Sequence, residues 1–452
     1  MISRRAFVGG IAGVTAGLAT SAASSAFARG RTPYGAGLTL HVPWPVGSLD
    51  PHRIDDATAA FFGDALFDTL YARDDSGAFA PSLAASDPQP DGEGLRVSLR
   101  PGVRFASGSP LDARAAAASL GRARAHDAAA WLADVPAPRP TADGLGLVFA
   151  MRDARLLARA LASPLVAIVA PRFAPEKPEG TGPFRVEAVA GALRLVRNGF
   201  AANGPSFLDA IDARRAPDLE TSLRAFESGA DDLGWLGSFL HEPRAGALAF
   251  DAGAVAWAIL RTGKLAGPLD APGTAQALAD GVPHAALAPL VVGPAWGASA
   301  SGAATWTGPP CDLFVRDDAP WLLEVARALT VPLSAQSHEI TVRPVPIAEL
   351  ASRRAAHAFT LMIDVARPAG PDALGALLGV ATADDPATAL DLARHPPRGD
   401  LSPRRATRSM RVGIVGEIRL QGGRAPDVVL PVSPWGRGVD WGNAFRTRRQ
   451  GT

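Results

Sequence analysis

A single cysteine, Cys311, occurs in the 452 residues. An internal disulfide and a cysteine-rich zinc centre are therefore excluded, and the thiol reads as a small core side chain. Lysine is almost as scarce. Lys177 and Lys264 are the only two, and arginine supplies the rest of the 45 basic residues. That bias accompanies abundant alanine and matches skewed codon usage, so it carries no function. Against those bases stand 44 acidic residues, a net charge of +1. The basic excess that nucleic-acid binding requires is missing. After the N-terminal segment, no run is long and apolar enough to span a bilayer.

Catalytic and metal motifs are missing too. Gly297-Ala298-Ser299-Ala300-Ser301 lacks the last glycine of a nucleophile elbow. Neither Leu240-His241-Glu242-Pro243 nor Ser337-His338-Glu339-Ile340 continues to a second histidine at metalloprotease spacing. The eight histidines are scattered. No enzyme activity, metal or cofactor is expected.

What is present is enough apolar residue for a large core, 47% of the chain. The length exceeds what one core usually holds, so at least two lobes are expected. Residues 1–28 carry the pattern of a cleavable export signal. Ser3-Arg4-Arg5-Ala6-Phe7-Val8 is basic at its start, a Gly/Ala-rich run follows to about Ala19, and Ala26-Phe27-Ala28 is a small-residue cleavage pattern. The paired arginines followed by Phe7 resemble a twin-arginine signal. No cysteine stands at the cleavage point to take a lipid anchor. The mature chain is expected free in an extracytoplasmic space, most simply a periplasm.

Along the mature chain, period-two alternation predicts strands at 38–42, 95–99 and 144–150, and a hairpin from 184–189 and 192–197. Further strands are expected at 255–260, 339–345, 359–365 and 410–415. Helices are expected over 55–70, from Leu111-Asp112 to about Arg124, and over 154–161, 219–228, 319–330 and 347–356. A Gly/Pro-rich stretch, 262–273, reads as a crossover between lobes. Arg100-Pro101-Gly102 and Gly180 to Pro183 read as tight turns, in which glycine permits a positive φ. Strands alternating with helices indicate an α/β architecture.

Several segments, in order, resemble the peptide/nickel class of ABC-transporter solute-binding proteins, family 5, the dipeptide and oligopeptide receptors. They are Ser48-Leu49-Asp50-Pro51-His52, Phe67-Asp68-Thr69-Leu70-Tyr71, Pro81-Ser82-Leu83-Ala84-Ala85-Ser86, Leu99-Arg100-Pro101-Gly102-Val103-Arg104-Phe105, Gly180-Thr181-Gly182-Pro183-Phe184, Leu195-Val196-Arg197-Asn198 and Phe207-Leu208-Asp209-Ala210-Ile211. Gly438-Val439-Asp440-Trp441-Gly442 resembles the family's terminal segment. The second half departs from the pattern. Where the family carries W-x-x-D-x-x-D-P, this chain has Phe359 to Pro368, with Asp364 and Arg367.

The resemblance implies a two-lobe periplasmic-binding-protein fold of type II, cluster C-like, with a hinge and an inter-lobe cleft. Lobe I would take 38–260, with an inserted subdomain about 72–172. Lobe II would take 261–405, and 406–452 would return to lobe I. The implied function is the substrate-binding component of an ABC importer. It would act as a monomer, capturing a peptide-like small molecule and handing it to permease and ATPase subunits. A non-transport periplasmic binding module, a sensor or chaperone with a diverged second lobe, is the alternative. Candidate cleft residues are Trp44, Trp235, Trp257, Arg261, Asp364 and Arg367. Aromatic walls with a few polar groups suit small-molecule pockets, and Asp364 with Arg367 would suit a charged ligand end. The plainer reading of the same residues is core packing and a structural ion pair.

Overall fold

The computed structural model describes residues 34–74, 76–189, 192–234, 244–283, 287, 290, 305–399, 401–433 and 438–447. The export segment and Trp235 lie outside them.

Strand β1 (Gly37–Val42) turns Leu38, Leu40 and Val42 inward, as its alternation requires. Helix α1 (Ala57–Leu66) opens at Asp56, whose carboxylate accepts from the Ala59 N–H at 2.8 Å. It stops before the expected 70, and the N–H of Gly182 takes the carbonyl of Leu66 at 3.0 Å. A Cβ on Gly182 would lie 2.6 Å from the Leu66 carbonyl carbon, and one on Gly180 would lie 2.2 Å from its oxygen. These glycines therefore serve close approach to α1, whereas Gly102 does supply the positive φ, +78°.

An inserted unit follows. It comprises β2 (Tyr71–Arg73), β3 (Phe79–Pro81), β4 (Gln89–Asp91), β5 (Gly94–Ser98), α2 (Ala113–Ala125), β6 (Arg139–Pro140), β7 (Gly146–Phe149) and α3 (Ala154–Ala160). Strands β4-β5-β7-β6 form an antiparallel sheet. Asp112 and Asp153 cap α2 and α3. The chain then returns with β8 (Phe184–Val189), β9 (Ala192–Arg197), β10 (Ala210–Arg215) and α4 (Leu219–Glu227). The sheet order is β1-β10-β9-β8, with β1 parallel to β10. The hairpin β8–β9 is as expected; β10 was not legible as a strand.

The second lobe is built on β11 (Leu248–Thr262), α5 (Thr274–Gly281), β12 (Cys311–Arg316), α6 (Pro320–Leu333), β13 (Ile340–Val345), α7 (Ile347–Ala356), β14 (Leu361–Ala366), α8 (Ala373–Asp384), α9 (Pro386–Arg394), α10 (Pro403–Ala406) and β15 (Val412–Arg424). Its sheet runs β13-β12-β14-β11-β15. The passage between the lobes is made by β11 and β15, paired antiparallel from Leu248/Arg424 to Arg261/Val412. At one end Arg424 bridges Leu233, and the Gly234 N–H reaches the Gly423 carbonyl at 2.8 Å. The stretch 262–273, expected to cross, instead packs inside the second lobe. Gly263, Lys264 and Leu265 donate to the carbonyls of Thr360, His357 and Phe359.

The chain ends on the first lobe through β16 (Val428–Val429) and β17 (Phe445–Arg446). Trp441 stacks on Phe62 with centroids 5.5 Å apart and donates to the Phe61 carbonyl at 2.8 Å. Such a pair adds about 1 kcal/mol beyond its buried area. Two large apolar clusters each reach across both lobes. One cluster joins Leu38, Leu40 and Phe62 to Leu313 and Trp321. Another joins Phe105 and Leu157 of the inserted unit to Trp257, Ile259 and Leu377. The lobes are therefore packed together. Among the described residues no helix is long and apolar enough to cross a membrane.

Candidate functional site

Between the lobes, the loop after β1 is held rigid by charge. Arg122 from α2 grips Asp50 with two hydrogen bonds, at 2.8 and 2.6 Å. The same guanidinium donates to Nδ1 of His52 at 2.8 Å, while Nε2 of His52 donates to the Ala167 carbonyl at 2.8 Å. Burial, opposed by the hydrogen bond to Ala167 and by Asp50, pushes the His52 pKa down to about 4. The imidazole is neutral, with its proton on Nε2. Beside it, burial raises Asp56 to about 6, although its carboxylate accepts from the Asp50 and Ala59 N–H groups.

This loop receives Arg367 of the second lobe. Its N–H donates to the Ile54 carbonyl at 2.9 Å, its Nε to the Arg53 carbonyl at 2.8 Å, and its Nη2 to the Pro51 carbonyl. The side chain is only 4% exposed. Its position follows from the glycines of α8: a Cβ on Gly379 would lie 2.3 Å from the Arg367 carbonyl oxygen. The helix can lie against the segment after β14 only because that Cβ is absent.

Arg367 fronts a cavity of about 420 Å³ that is otherwise walled by the first lobe and the returning C-terminal segment. Asp64, Asp68, Asn203, Asp440 and Asn443 supply its polar groups, and Tyr34, Phe67 and Phe207 its aromatic ones. A smaller cavity, also lined by Ala59, Asp64, Pro164 and Arg367, extends it toward Pro368 and Pro371 of the second lobe. Asp68 is tied to Thr181 at 2.7 Å and to Asn203 at 2.8 Å. Asp64 is exposed to the cavity space while ringed by protein. Burial and the like charge of Asp440 raise its pKa to about 6, against the pull of Arg367, and no hydrogen bond lowers it. A cationic group entering beside Asp64 would meet a carboxylate that the protein leaves unengaged.

The sequence-predicted residues are distributed differently. Arg261 and Asp364 come together at 3.6 Å, on neighbouring strands. Both are committed to protein: Arg354 binds Asp364 at 2.6 Å and also pairs with Asp55 of the first lobe, which Arg53 approaches at 3.3 Å. Burial works against these charges, but Asp364 and Asp55 outweigh it and raise the Arg354 pKa; Arg354 and Arg53 likewise hold Asp55 well below the usual carboxylate range. Trp44 is buried between Trp321 and the guanidinium of Arg316, 4.9 Å from its ring, and lines none of these cavities. Trp257 is core. Trp235 lies outside the described residues. Asp64, Asp68 and Asp440 were missed as site residues. Asp68 and Asp440 stood inside quoted motifs, and Asp64 stood on the polar face of α1 between Phe62 and Leu66, which was the available signal.

Residues 78–239 match bacterial extracellular solute-binding proteins, family 5, middle region. The nickel-binding protein NikA of Staphylococcus aureus is 26% identical over 206 residues, covering 44% of this chain and 41% of that protein. The fold match is wider. The crystal structure of Staphylococcus aureus NikA in complex with Ni(L-His)2 has a TM-score of 0.62 at 16% identity, covering 91% of this chain and 100% of that one. AppA from Bacillus subtilis, in complex with a nonapeptide, has 0.68 at 13%, over 92% and 100%. AgaA from A. tumefaciens R10, with agropinic acid, has 0.66 at 14%, over 92% and 99%.

Proposed function

We propose that this chain, whose residues 78–239 match the family 5 extracellular solute-binding proteins, is a binding protein of that class, captures a small zwitterion between its lobes and delivers it to an ABC importer. The ligand is an amino-acid derivative, opine or short peptide. It occupies the cavity of about 420 Å³, with its ammonium group beside Asp64 and its carboxylate toward Arg367. One observation carries this reading: an unengaged carboxylate and a guanidinium from the opposite lobe line the same cavity. Arg367 commits Nε and Nη2 to carbonyls, which leaves Nη1 for the ligand. Asn203 and Asn443 offer amides, and Phe67 and Phe207 apolar walls.

Proteins of similar fold bind polar ligands of different sizes. The solved complexes hold Ni(L-His)2, agropinic acid and a nonapeptide. The cavity falls at the low end of small-molecule pockets, roughly 300–1,000 Å³, which favours the smaller of these classes. The export signal expected from the sequence of residues 1–28 would let such a receptor meet its ligand outside the cytoplasm.

The test is thermal shift and calorimetry on the purified chain with amino acids, di- and tripeptides, opines and nickel–histidine. One class is expected to raise the melting temperature by mass action. Asp64→Asn is expected to weaken that ligand about tenfold or more, as loss of a charge-assisted hydrogen bond does. A panel with no shift at all, or unchanged affinity in Asp64→Asn, overturns the reading.

A further inference from the structure

Charge inside the cavity does not balance. Among the described residues that line it, Arg367 is the one base, against the carboxylates of Asp64, Asp68 and Asp440. Asp68 is hydrogen-bonded to Thr181 and Asn203, and Arg100, which does not line the cavity, partly offsets its charge. Asp440 caps the short helical turn Trp441–Asn443, accepting from the Asn443 N–H at 3.2 Å and from its Nδ2 at 2.7 Å, both neutral donors. Among the described residues, no arginine, lysine or histidine forms an ion pair with Asp64 or Asp440.

Packing brings these two carboxylates together from opposite ends of the chain. Asp64 stands on α1 between Phe62 and Leu66. Trp441 stacks on Phe62 and donates to the Phe61 carbonyl, which sets the preceding residue, Asp440, beside that turn of α1. After burial, the strongest influence on Asp64 is the like charge of Asp440, ahead of the opposite charge of Arg367. Arg367 is itself drawn on more strongly by Asp56 and Asp50, outside the cavity, than by Asp64. The field around Asp64 is therefore negative, and a single ligand ammonium leaves one carboxylate without a counter-charge.

From this excess of carboxylate, and resting on the reading that the cavity holds the ligand, we infer that the ligand carries a second cationic group. It is an amino acid or short peptide with a side-chain ammonium or guanidinium. Its α-ammonium lies beside Asp64, its side-chain cation is read by Asp440, and its carboxylate lies toward Arg367. Phe67 and Phe207 supply apolar wall for the alkyl stem between the charges. A neutral side chain in the same place would take water from Asp440 and return no charge, and that penalty is what discriminates against it.

Calorimetry on the full chain at about pH 7.5, above the Asp64 pKa of about 6, tests this with shape-matched pairs. The pairs are L-arginine against L-citrulline and L-lysine against L-norleucine, each free and as the second residue of an alanyl dipeptide. In at least one pair the cationic member is expected to bind about tenfold or more tightly, as one charge-assisted hydrogen bond allows. Asp440→Asn keeps a capping side chain and removes the charge; it is expected to shrink that ratio to about twofold. Asp64→Asn is expected to weaken both members of the pair while the ratio persists. Damage to the fold would also weaken both alike, so the ratio separates charge recognition from a structural effect. Equal affinity within every pair, or binding by neutral opines or peptides and none by the basic members, overturns this inference and leaves the zwitterion reading standing. A ratio that Asp440→Asn does not change overturns it as well. No binding by these pairs or by the wider panel overturns both readings.

Discussion

Arg354 holds an acidic residue of each lobe. Its guanidinium binds Asp364 of β14 at 2.6 Å and pairs with Asp55 of the first lobe. It is 20% exposed, and its partners are 7% and 16% exposed. Arg354→Met keeps most of the stem packing and removes the charge. Removing one partner of a buried pair costs about 3–5 kcal/mol, because the other charge stays buried. Here the loss is reduced. Asp55 keeps Arg53 at 3.3 Å, and Asp364 keeps Arg261 at 3.6 Å and the Val365 N–H at 2.9 Å. The expected destabilisation is about 2–3 kcal/mol in urea unfolding. A double-mutant cycle with Asp55→Asn should give a coupling of about 1–3 kcal/mol, since the two groups touch. Small-angle scattering should show Arg354→Met larger than the wild-type protein in radius of gyration, because Asp55 and Asp364 lie on different lobes. A loss below about 1 kcal/mol with no coupling would refute the idea that this guanidinium ties the lobes.

His52 sets an acid limit. Its folded pKa, about 4, lies below the unfolded 6.5, so the unfolded chain takes the proton first. Stability from this group is complete above pH 6.5 and is lost as pH falls toward 4, by about 3 kcal/mol at 1.36 kcal/mol per unit. Asp56 and Asp64, raised to about 6, act in the opposite direction over the same range, so the check is the difference between wild type and His52→Gln: a difference in urea midpoint that stays constant between pH 6.5 and 4.5 would contradict it. Gly182→Ala is expected to cost about 1–3 kcal/mol by forcing α1 away from the turn, and an unchanged melting temperature would show that the close approach relaxes freely. Asp64, at about 6, is neutral below that pH and charged above it. Affinity for an ammonium-bearing ligand should therefore rise between pH 5 and 7, and the rise should vanish in Asp64→Asn. A parallel pH profile in both proteins would remove Asp64 from the site.

Much of the local structure was legible. Strands β1, β5, β8 and β9 alternate with period two, and α2, α4 and α7 carry polar faces, so their patterns point to one element each. Helix α8 was missed for a physical reason. Gly375 to Ala383 are buried without a break, so no polar face marks the turn of the helix, and two glycines interrupt it. The long strands β11 and β15 were truncated to 255–260 and 410–415. Bulges between Asp251 and Ala256 break the alternation of one, and the other is rich in glycine.

The candidate site divides along the same line. Asp364, Arg261 and Arg367 stand out in the sequence because charge is rare in segments so apolar. Their residue types alone do not say whether a ligand or another side chain will meet them. That choice was made by Arg354 and by the carbonyls of Pro51 and Arg53, groups distant in sequence.

The sequence by itself determined the α/β alternation, the turns, the helix caps and the resemblance to a receptor family, since each depends on neighbours along the chain. Only the tertiary structure decided which charges cancel and which stay free. Asp64 is left facing a cavity, while Asp364 is consumed by an ion pair, because charge compensation depends on distance in space and on burial.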